Sequence, residues 1–488
     1  MYIAAPEAVE TVCRSLRAVG KQCFVVGGAV RDALICASSS VQTTERKNDR
    51  SDMVQTDWDL ATDATPTEIM ALFDRVIPTG LAHGTVTILS KGMPLEITTF
   101  RTESTYSDAR RPDAVSFVSS IEQDLSRRDF TINAMAYDPI DDLLIDPFEG
   151  QIDLFNQTIR CVGDPAQRFS EDALRILRAV RFCAQLGFSI EHSTRVAAEE
   201  HLDCIKHIAR ERISDEFRKI LFGAHLRNTV RLPIFSRLLE HVFSSLHLAL
   251  SVQETDSSDV FDVFKIVSDR FEFVLVCFAD HINLTNSVGP SSTSSPLPSV
   301  AVMRLCLLFS LIKAEGVSIE LASMTHDLRL PKRVRAEIDQ VLKGLEALRH
   351  PLFESPDLQT VIDADQNLQH LLEYRVRQSM SLAGRQLALA PIVIKAALLD
   401  DTFTSSAVPS VSRSDSRGRD LISRALRLFS DPKLCLSIAE LNVNGRDIAS
   451  QLGLEGRDIG SMLDRFLDLK LRDPTVSVAS LFDSVRVV

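Results

Sequence analysis

One tryptophan and four tyrosines stand in a chain of 488 residues, so wide aromatic platforms for stacking single-stranded bases are not expected, although phenylalanine numbers 25. Basic residues are also in deficit: 54 Lys and Arg against 66 Asp and Glu leave a net charge of −12. That excludes a polycation coating nucleic acid non-specifically and leaves room only for locally placed arginines. Cysteine occurs nine times, at 13, 23, 36, 161, 183, 204, 277, 306 and 435. The count is odd, the spacing is scattered and no C-x-x-C is present, which argues against a disulfide framework or zinc ribbon and for reduced thiols. Long apolar runs are missing too. The stretch 301–312 is interrupted by Arg304 and is too short to span a bilayer. Glu7 and Glu10 lie where a secretory leader would be basic, so a soluble cytoplasmic protein without a membrane partner is expected.

What is present is ordinary for a globular protein: 45% apolar and 25% charged residues. At roughly 150 residues per domain the length predicts about three domains. Up to about residue 155 the pattern is one of short apolar runs. Strands are expected at 23–26, 57–60, 85–89 and 95–100, and helices at 8–19, 29–35 and 66–72, the last opened by Thr65 as cap and Pro66 in the first turn. From Ser170 onward the pattern is helical. The expected class is therefore α+β, a mixed-sheet head followed by an all-helical remainder. Ser-rich stretches at 38–55, 285–299 and 404–417 lack apolar periodicity and read as surface insertions or linkers.

Three groups of residues carry chemistry. Asp57 and Asp59 alternate in an extended segment, so both carboxylates project from one face, about 7 Å apart along the strand. Such a pair can share two Mg²⁺ ions roughly 4 Å apart, although D-x-D alone is also what a polar edge strand carries. Glu96, amid Leu95, Ile97 and Thr98, is either a third carboxylate or a solvent-facing edge residue. Upstream, the apolar run 24–26 enters Gly27-Gly28-Ala29-Val30-Arg31-Asp32, a strand, glycine turn and helix start suited to phosphate. No Gly-Lys-Ser/Thr follows, so it is not a Walker loop. His326-Asp327 suggests a phosphohydrolase metal site, but no convincing further ligands accompany it and a polar surface pair is the better reading.

In order along the chain, these motifs are followed by His83-Gly84-Thr85-Val86, Glu96-Ile97-Thr98-Thr99-Phe100-Arg101 and Arg127-Arg128-Asp129-Phe130-Thr131-Ile132-Asn133-Ala134. Asp146-Pro147-Phe148, Glu171-Asp172-x-x-Arg175-x-x-Arg178-x-x-Arg181-Phe182 and Glu211-Arg212-Ile213 come next. The series resembles the class II tRNA nucleotidyltransferases, the CCA-adding enzymes, relatives of bacterial poly(A) polymerases within the polymerase-β-like superfamily. It covers the chain to about residue 222, with a weaker echo at Asn444-Gly445-Arg446-Asp447. The segment between Asp32 and Asp57 is longer and richer in Ser and Thr than the family pattern.

The resemblance implies a head at 1–158, with 38–55 as an inserted loop, a base-recognising neck at 159–224, a body at 225–380 and a tRNA-binding tail at 381–488. It implies addition of C, C and A to the tRNA 3′ end from CTP and ATP, with release of pyrophosphate. Asp57, Asp59 and Glu96 would be catalytic, and Asp57 and Asp59 would hold two Mg²⁺. Gly28 and Arg31 would bind the triphosphate, Arg128 would add a nucleotide contact, and Asn133 would bond the ribose. Arg178 and Arg181 continue the nucleotide-binding series, but steps of three put Arg181 nearly opposite Asp172, where a salt bridge or an RNA phosphate contact rivals that role.

Asp172 and Arg175, three apart, are expected on one face of a helix. A carboxylate accepts from the exocyclic amine of cytosine or adenine while a guanidinium donates to the neighbouring ring nitrogen; uracil and guanine would meet donor with donor and acceptor with acceptor. Rival readings are an enzyme adding only A or only CC, a poly(A) polymerase, and a non-catalytic RNA-binding protein. Loop 102–111 looks intact against the CC-only reading, no strongly basic C-terminal extension favours poly(A) polymerase, and the intact carboxylates oppose a dead scaffold. In the tail, Arg446 and Arg457 beside helix-opening glycines are the expected RNA contacts, reaching the tRNA elbow while its acceptor end enters the head.

Overall fold

A computed structural model describes residues 3–39, 58–104, 114–243, 300–314, 327–349, 366–383, 387–399, 416–431 and 433–486, with single residues between 267 and 275 and Thr325. Asp57, His326, Cys277, the stretch 285–299 and nearly all of 38–55 and 404–417 lie outside them. The chain divides into two compact units, residues 1–216 with 223–225, and residues 217–222 with 226–488.

The first unit opens with α1 (Glu7–Ala18), whose Val9, Val12, Cys13 and Leu16 recur at helical spacing and are buried. Strand β1 (Cys23–Val26) follows, buried along its whole length. Its side chains alternate between two apolar cores, Cys23 and Val25 in one, Phe24 and Val26 in the other. After α2 (Gly28–Ser39) come β2 (Asp59–Thr62), α3 (Pro66–Leu72), β3 (Val76–Gly80), β4 (Thr85–Ser90) and β5 (Met93–Thr99). Helix α3 starts where the sequence places it: Thr65 and Glu68 close a reciprocal capping box, with Pro66 in the first turn. The hairpin β6 (Arg101–Ser104) and β7 (Ala114–Phe117) forms a separate two-stranded sheet. Helix α4 (Ile121–Ser126), β8 (Ala136–Asp138) and β9 (Leu143–Ile145) complete the head.

The main sheet has seven strands in the order β3-β4-β5-β2-β1-β8-β9. Only β2 and β5 run parallel; the other neighbours are antiparallel. Thus β2 is internal, bonded to β1 on one side and β5 on the other. Beyond the sheet lie α5 (Gly150–Phe155), β10 (Thr158–Ile159), α6 (Pro165–Glu171), α7 (Leu174–Leu186), β11 (Ser189–Ile190), α8 (His192–Glu200) and α9 (Arg210–Phe222). The expected α+β class is what the structure has. Strand β2 enters two residues later than expected, and β3 and β6 to β11 are additional to the sequence reading; β10 and β11 pair in parallel, so the region expected to be all-helical begins with a short two-stranded sheet.

The described part of the second unit is helical. One apolar core joins Leu348, Leu372, Met380, Leu389, Leu421 and Leu471, and so runs across the expected body–tail boundary near residue 380. Arg377, on the helix Gln366–Ala383, is buried and donates from Nε to the Leu471 carbonyl at 2.6 Å and from Nη2 to that of Arg472 at 3.0 Å. It thereby places a cation on the last carbonyls of the helix Arg457–Arg472, where the helix dipole is negative.

Candidate active site

Because β2 and β5 are parallel and in register, Asp59 stands directly opposite Glu96. Leu95 and Ile97 on β5, and Leu60 on β2, enter one core. The pleat therefore turns Glu96 and Asp59 to the other face, and both residues are exposed. In-register strands lie about 4.8 Å apart, so the two side chains leave one face of neighbouring strands, near enough to share a cation. Hard oxygen donors at that separation suit Mg²⁺ better than a soft metal. Asp57 lies outside the described residues, and among those described no group of three His, Cys, Asp or Glu side chains converges on one point. Two exposed carboxylates thus fit one side of a divalent-cation site.

The neighbouring strand ends in the glycine turn. Val26 pairs with Asp59 on β1, and Gly27 follows with φ +71°. A Cβ at Gly27 would lie 3.0 Å from Arg128 Nη1, and one at Gly28 would lie 3.5 Å from Arg31 Nη2. Helix α2 begins at Gly28, so its first amides face this turn, flanked by two guanidinium groups. Arg31 donates from Nη1 to Asn133 Oδ1 at 2.7 Å and from Nε to Asp32 at 2.8 Å. Asn133 is buried in a short 3₁₀ turn, and its Nδ2 donates to Asp129 at 3.1 Å. It links Arg31 to Asp129 and is neither a cap nor a helix-surface residue.

Asp129 is the buried hub of this network. Its carboxylate accepts from the Phe130 amide at 2.8 Å and from Arg178 Nε at 2.7 Å as well as from Asn133. Burial pushes its pKa up, but Arg178 and the hydrogen bonds prevail and hold it at about 2. Burial likewise opposes the charge of Arg178, yet Asp129 and Glu216 raise its pKa. Arg181 donates to Glu216 at 3.0 Å, the salt bridge weighed against direct nucleotide binding. Burial and the neighbouring Arg178 bring its pKa down to about 10. Arg31, Arg178 and Arg181 all approach the Phe182 ring, at 5.1, 5.7 and 4.4 Å from its centroid.

The helix expected to carry Asp172 and Arg175 together is broken between them. Helix α6 ends at Glu171 and α7 begins at Leu174; Asp172 sits between, in an extended conformation. Its Oδ1 accepts from the Leu174 amide at 3.0 Å, the local bonding by which Asp competes with helix, and its Oδ2 accepts from Arg212 at 2.8 Å. Arg175 is buried and donates to Glu171 at 2.8 Å and to the carbonyls of Arg168 and Arg127 at 3.0 and 3.1 Å. The two side chains are each held by a second residue, Asp172 by Arg212 and Arg175 by Glu171.

Sequence reasoning assigned no role to Asp124, Asp129, Phe182 or Glu216, and read Arg212 only among the basic residues offered to RNA phosphates. The signal for Asp124 is its spacing, three and four residues before Arg127 and Arg128, which follow the end of α4. Around His83, Arg101 donates to the His83 carbonyl, and Phe117 of β7 lies against Gly84, where a Cβ would come within 2.7 Å of its ring. Gly84 has φ +75°, so a larger residue would meet both strain and collision.

In the tail, Arg446 and Arg457 are exposed, each in the first turn of a helix. The amides of Arg446 and Asp447 are already taken by Asn444 Oδ1, at 2.8 and 3.2 Å. The expected approach of phosphate to those amides is therefore corrected: that helix start is closed by a capping box, while the Arg446 side chain stays exposed. Gly456 precedes the helix of Arg457 without a side-chain cap. The eight cysteines among the described residues are free, and no described helix is long and apolar enough to cross a membrane.

Comparison with known proteins agrees in sequence and in fold. Residues 23–160 match the poly(A) polymerase head domain, and residues 187–250 match a probable RNA- and SrmB-binding site of that polymerase. A CCA-adding enzyme of Anoxybacillus flavithermus is 42% identical over 232 residues, 48% of this chain and 54% of the relative. One from Bacillus cereus is 40% identical over 274 residues, 55% of this chain and 64% of the relative. The chain thus spans between about half and two thirds of the length of these relatives. Over 99% of both chains it resembles the crystal structure of the Bacillus stearothermophilus CCA-adding enzyme in complex with CTP, at 25% identity and a TM-score of 0.64.

Proposed function

This chain belongs to the family that comprises the CCA-adding enzymes and shares their poly(A) polymerase head domain, and from that membership we propose that it is a tRNA nucleotidyltransferase. It adds C, C and A to the tRNA 3′ end from CTP and ATP, without a nucleic-acid template. The observation that carries the reading is the in-register pair Asp59 and Glu96, one strand away from a glycine turn flanked by Arg31 and Arg128.

In each addition the primer 3′-oxygen forms a bond to the α-phosphorus, the bond from that phosphorus to the β-phosphate oxygen breaks, and pyrophosphate leaves. Asp57 and Asp59, with Glu96 as the third carboxylate, would hold Mg²⁺, which would lower the pKa of the attacking hydroxyl and neutralise charge on the triphosphate. The amides at Gly28, with Arg31 and Arg128, bind and orient the phosphates. Asn133, bonded to Arg31, offers a polar edge toward the ribose. Arg178 and Arg181 contribute positive charge at the nucleotide. Asp172 and Arg175 read the pairing edge of the base, which cytosine and adenine share and uracil and guanine do not. Arg446 and Arg457 meet phosphates of the tRNA elbow. The head, neck, body and tail boundaries of the sequence reading, and action in the cytoplasm, belong to this proposal.

The test is incorporation into tRNAs ending before CCA, before CA and before A, with CTP, ATP or both. Two CMP and one AMP on the first substrate, stopping there, is the expected result. AMP alone on the third substrate only would mean an A-adding enzyme, and long adenylate tails a poly(A) polymerase. No incorporation on any tRNA would overturn the reading in favour of a non-catalytic RNA-binding protein.

A further inference from the structure

Asp124 has no part in the site as expected from sequence, yet its buried carboxylate gathers four N–H donors of three residues from two segments. With its side chain 1% exposed, Oδ1 accepts from Arg127 Nε at 3.0 Å and Nη2 at 2.9 Å, and from the backbone amide of Arg101 at 3.3 Å. Oδ2 accepts from Arg128 Nη2 at 3.2 Å. Burial pushes the Asp124 pKa up, but Arg127 and Arg128 outweigh it and hold the group ionised.

Arg128 is fixed at one end only. Its Nη2 is bound to Asp124, its Nε is buried without a hydrogen-bond partner among the described residues, and its Nη1 lies against the Gly27 turn. A half-buried guanidinium whose Nε is sealed off without a partner is costly unless something anionic completes it. Burial accordingly lowers the Arg128 pKa. The Arg101 amide that shares the carboxylate stands at the start of β6.

We propose that Asp124 is a positioning residue for nucleotide binding: it aims Arg128 at the glycine turn and ties that aim to the start of the β6–β7 hairpin. The inference rests on the reading of Arg128 as a nucleotide contact and deepens it. The asymmetry of the carboxylate sharpens the expectation. In Asp124→Asn the amide oxygen takes the crowded position facing Arg127 and the Arg101 amide, because three donors converge there. The amide NH₂ then faces Arg128 Nη2, donor against donor, and Arg128 is the arginine released.

The experiment measures binding of CTP and ATP to the full chain carrying Asp124→Asn, Arg128→Ala or both, alongside tRNA binding and a thermal melt. The expected result is about tenfold weaker binding of both nucleotides in Asp124→Asn, consistent with one charge-assisted hydrogen bond. Binding of tRNA is unchanged. In the Arg128→Ala background the Asn change costs nothing more, a non-additivity that general destabilisation would not produce. If the Asn variant does not fold, Asp124→Glu keeps the charge and moves it by one methylene. It is then expected to weaken both nucleotides about threefold in the native background and not at all beside Arg128→Ala. Normal nucleotide affinity in the folded Asp124 variant, or an equal loss with and without Arg128, overturns the inference while leaving the Arg128 reading intact. Wild-type affinity in Arg128→Ala overturns that reading and the inference with it.

Discussion

Asp59 and Glu96 face each other across the one parallel strand pair of the seven-stranded sheet, two exposed carboxylates on the face opposite Leu60, Leu95 and Ile97. Two oxygen-bearing side chains leaving the same face of neighbouring strands are a donor pair that a divalent cation can bridge. Removing one of the two charges therefore harms a metal-dependent step.

Asp59→Asn is expected to lower nucleotide incorporation by about a hundredfold to a thousandfold, the scale of losing one preorganised electrostatic contact, with little change in the melting temperature because the side chain is exposed. Glu96→Gln should act in the same direction, and the combined Asp57→Ala, Asp59→Ala change should abolish incorporation with tRNA binding nearly intact. Incorporation kinetics with a parallel melt check this; activity surviving the double change would sink the metal assignment.

Base choice gives a separate readout. Asp172→Ala or Arg175→Ala should raise UTP and GTP misincorporation relative to CTP and ATP, because the mismatch that rejects them is gone. A single-nucleotide extension assay with each of the four triphosphates measures it. Variants that lose rate but keep their preference would contradict the pairing-edge account.

The acid side of stability should carry the signature of Asp129. Its folded pKa of about 2 lies below the ordinary value near 3.9, so its contribution is present above about pH 4 and fades as the pH falls toward 2. That amounts to roughly 2–3 kcal/mol, at about 1.4 per pKa unit. Urea unfolding between pH 2 and 6 should show the loss in the native chain, and Asp129→Asn should flatten that part of the curve while lowering stability at neutral pH. An unchanged slope in the variant would mean that other carboxylates carry the acid transition.

Tail function is better tested by point changes than by truncation. Deletion from residue 438 onward would remove Leu471 from the core it shares with Leu372 and Leu421, and strip Arg377 of its two carbonyl partners. Arg446→Ala and Arg457→Ala leave these contacts alone. Each should weaken binding of full tRNA more than that of an acceptor-stem minihelix and reduce the salt dependence by about one phosphate contact. Equal effects on both RNAs would assign the arginines to something other than the elbow.

Legibility in the sequence followed the range of the forces involved. Local signals were readable: Thr65, Pro66 and Glu68 opened a helix where the capping rule puts one, and β1 occupies the predicted four residues. The ordered motifs single out Asp59, Glu96, Gly28 and Arg31, which the fold brings to adjoining strands and the turn after β1. Spacing alone misled at Asp172 and Arg175, because the Asp side chain takes the Leu174 amide and ends the helical run. Strand β3 was hidden by Pro78 and its mostly exposed residues. Partners such as Arg212 for Asp172, 40 residues apart, or Arg178 for Asp129, 49 apart, come together through tertiary packing that no local pattern encodes.

Strand β2, bonded on both edges, also sets the durability of the chemistry. Amides of an interior strand exchange with solvent only when the surrounding sheet comes apart, while edges and ends open in far smaller fluctuations. Asp59 is the first residue of that ladder, paired with Val26 and Glu96 but at its end. The fluctuations that release it are those of a strand end, so loss of incorporation on heating should begin before the head as a whole collapses.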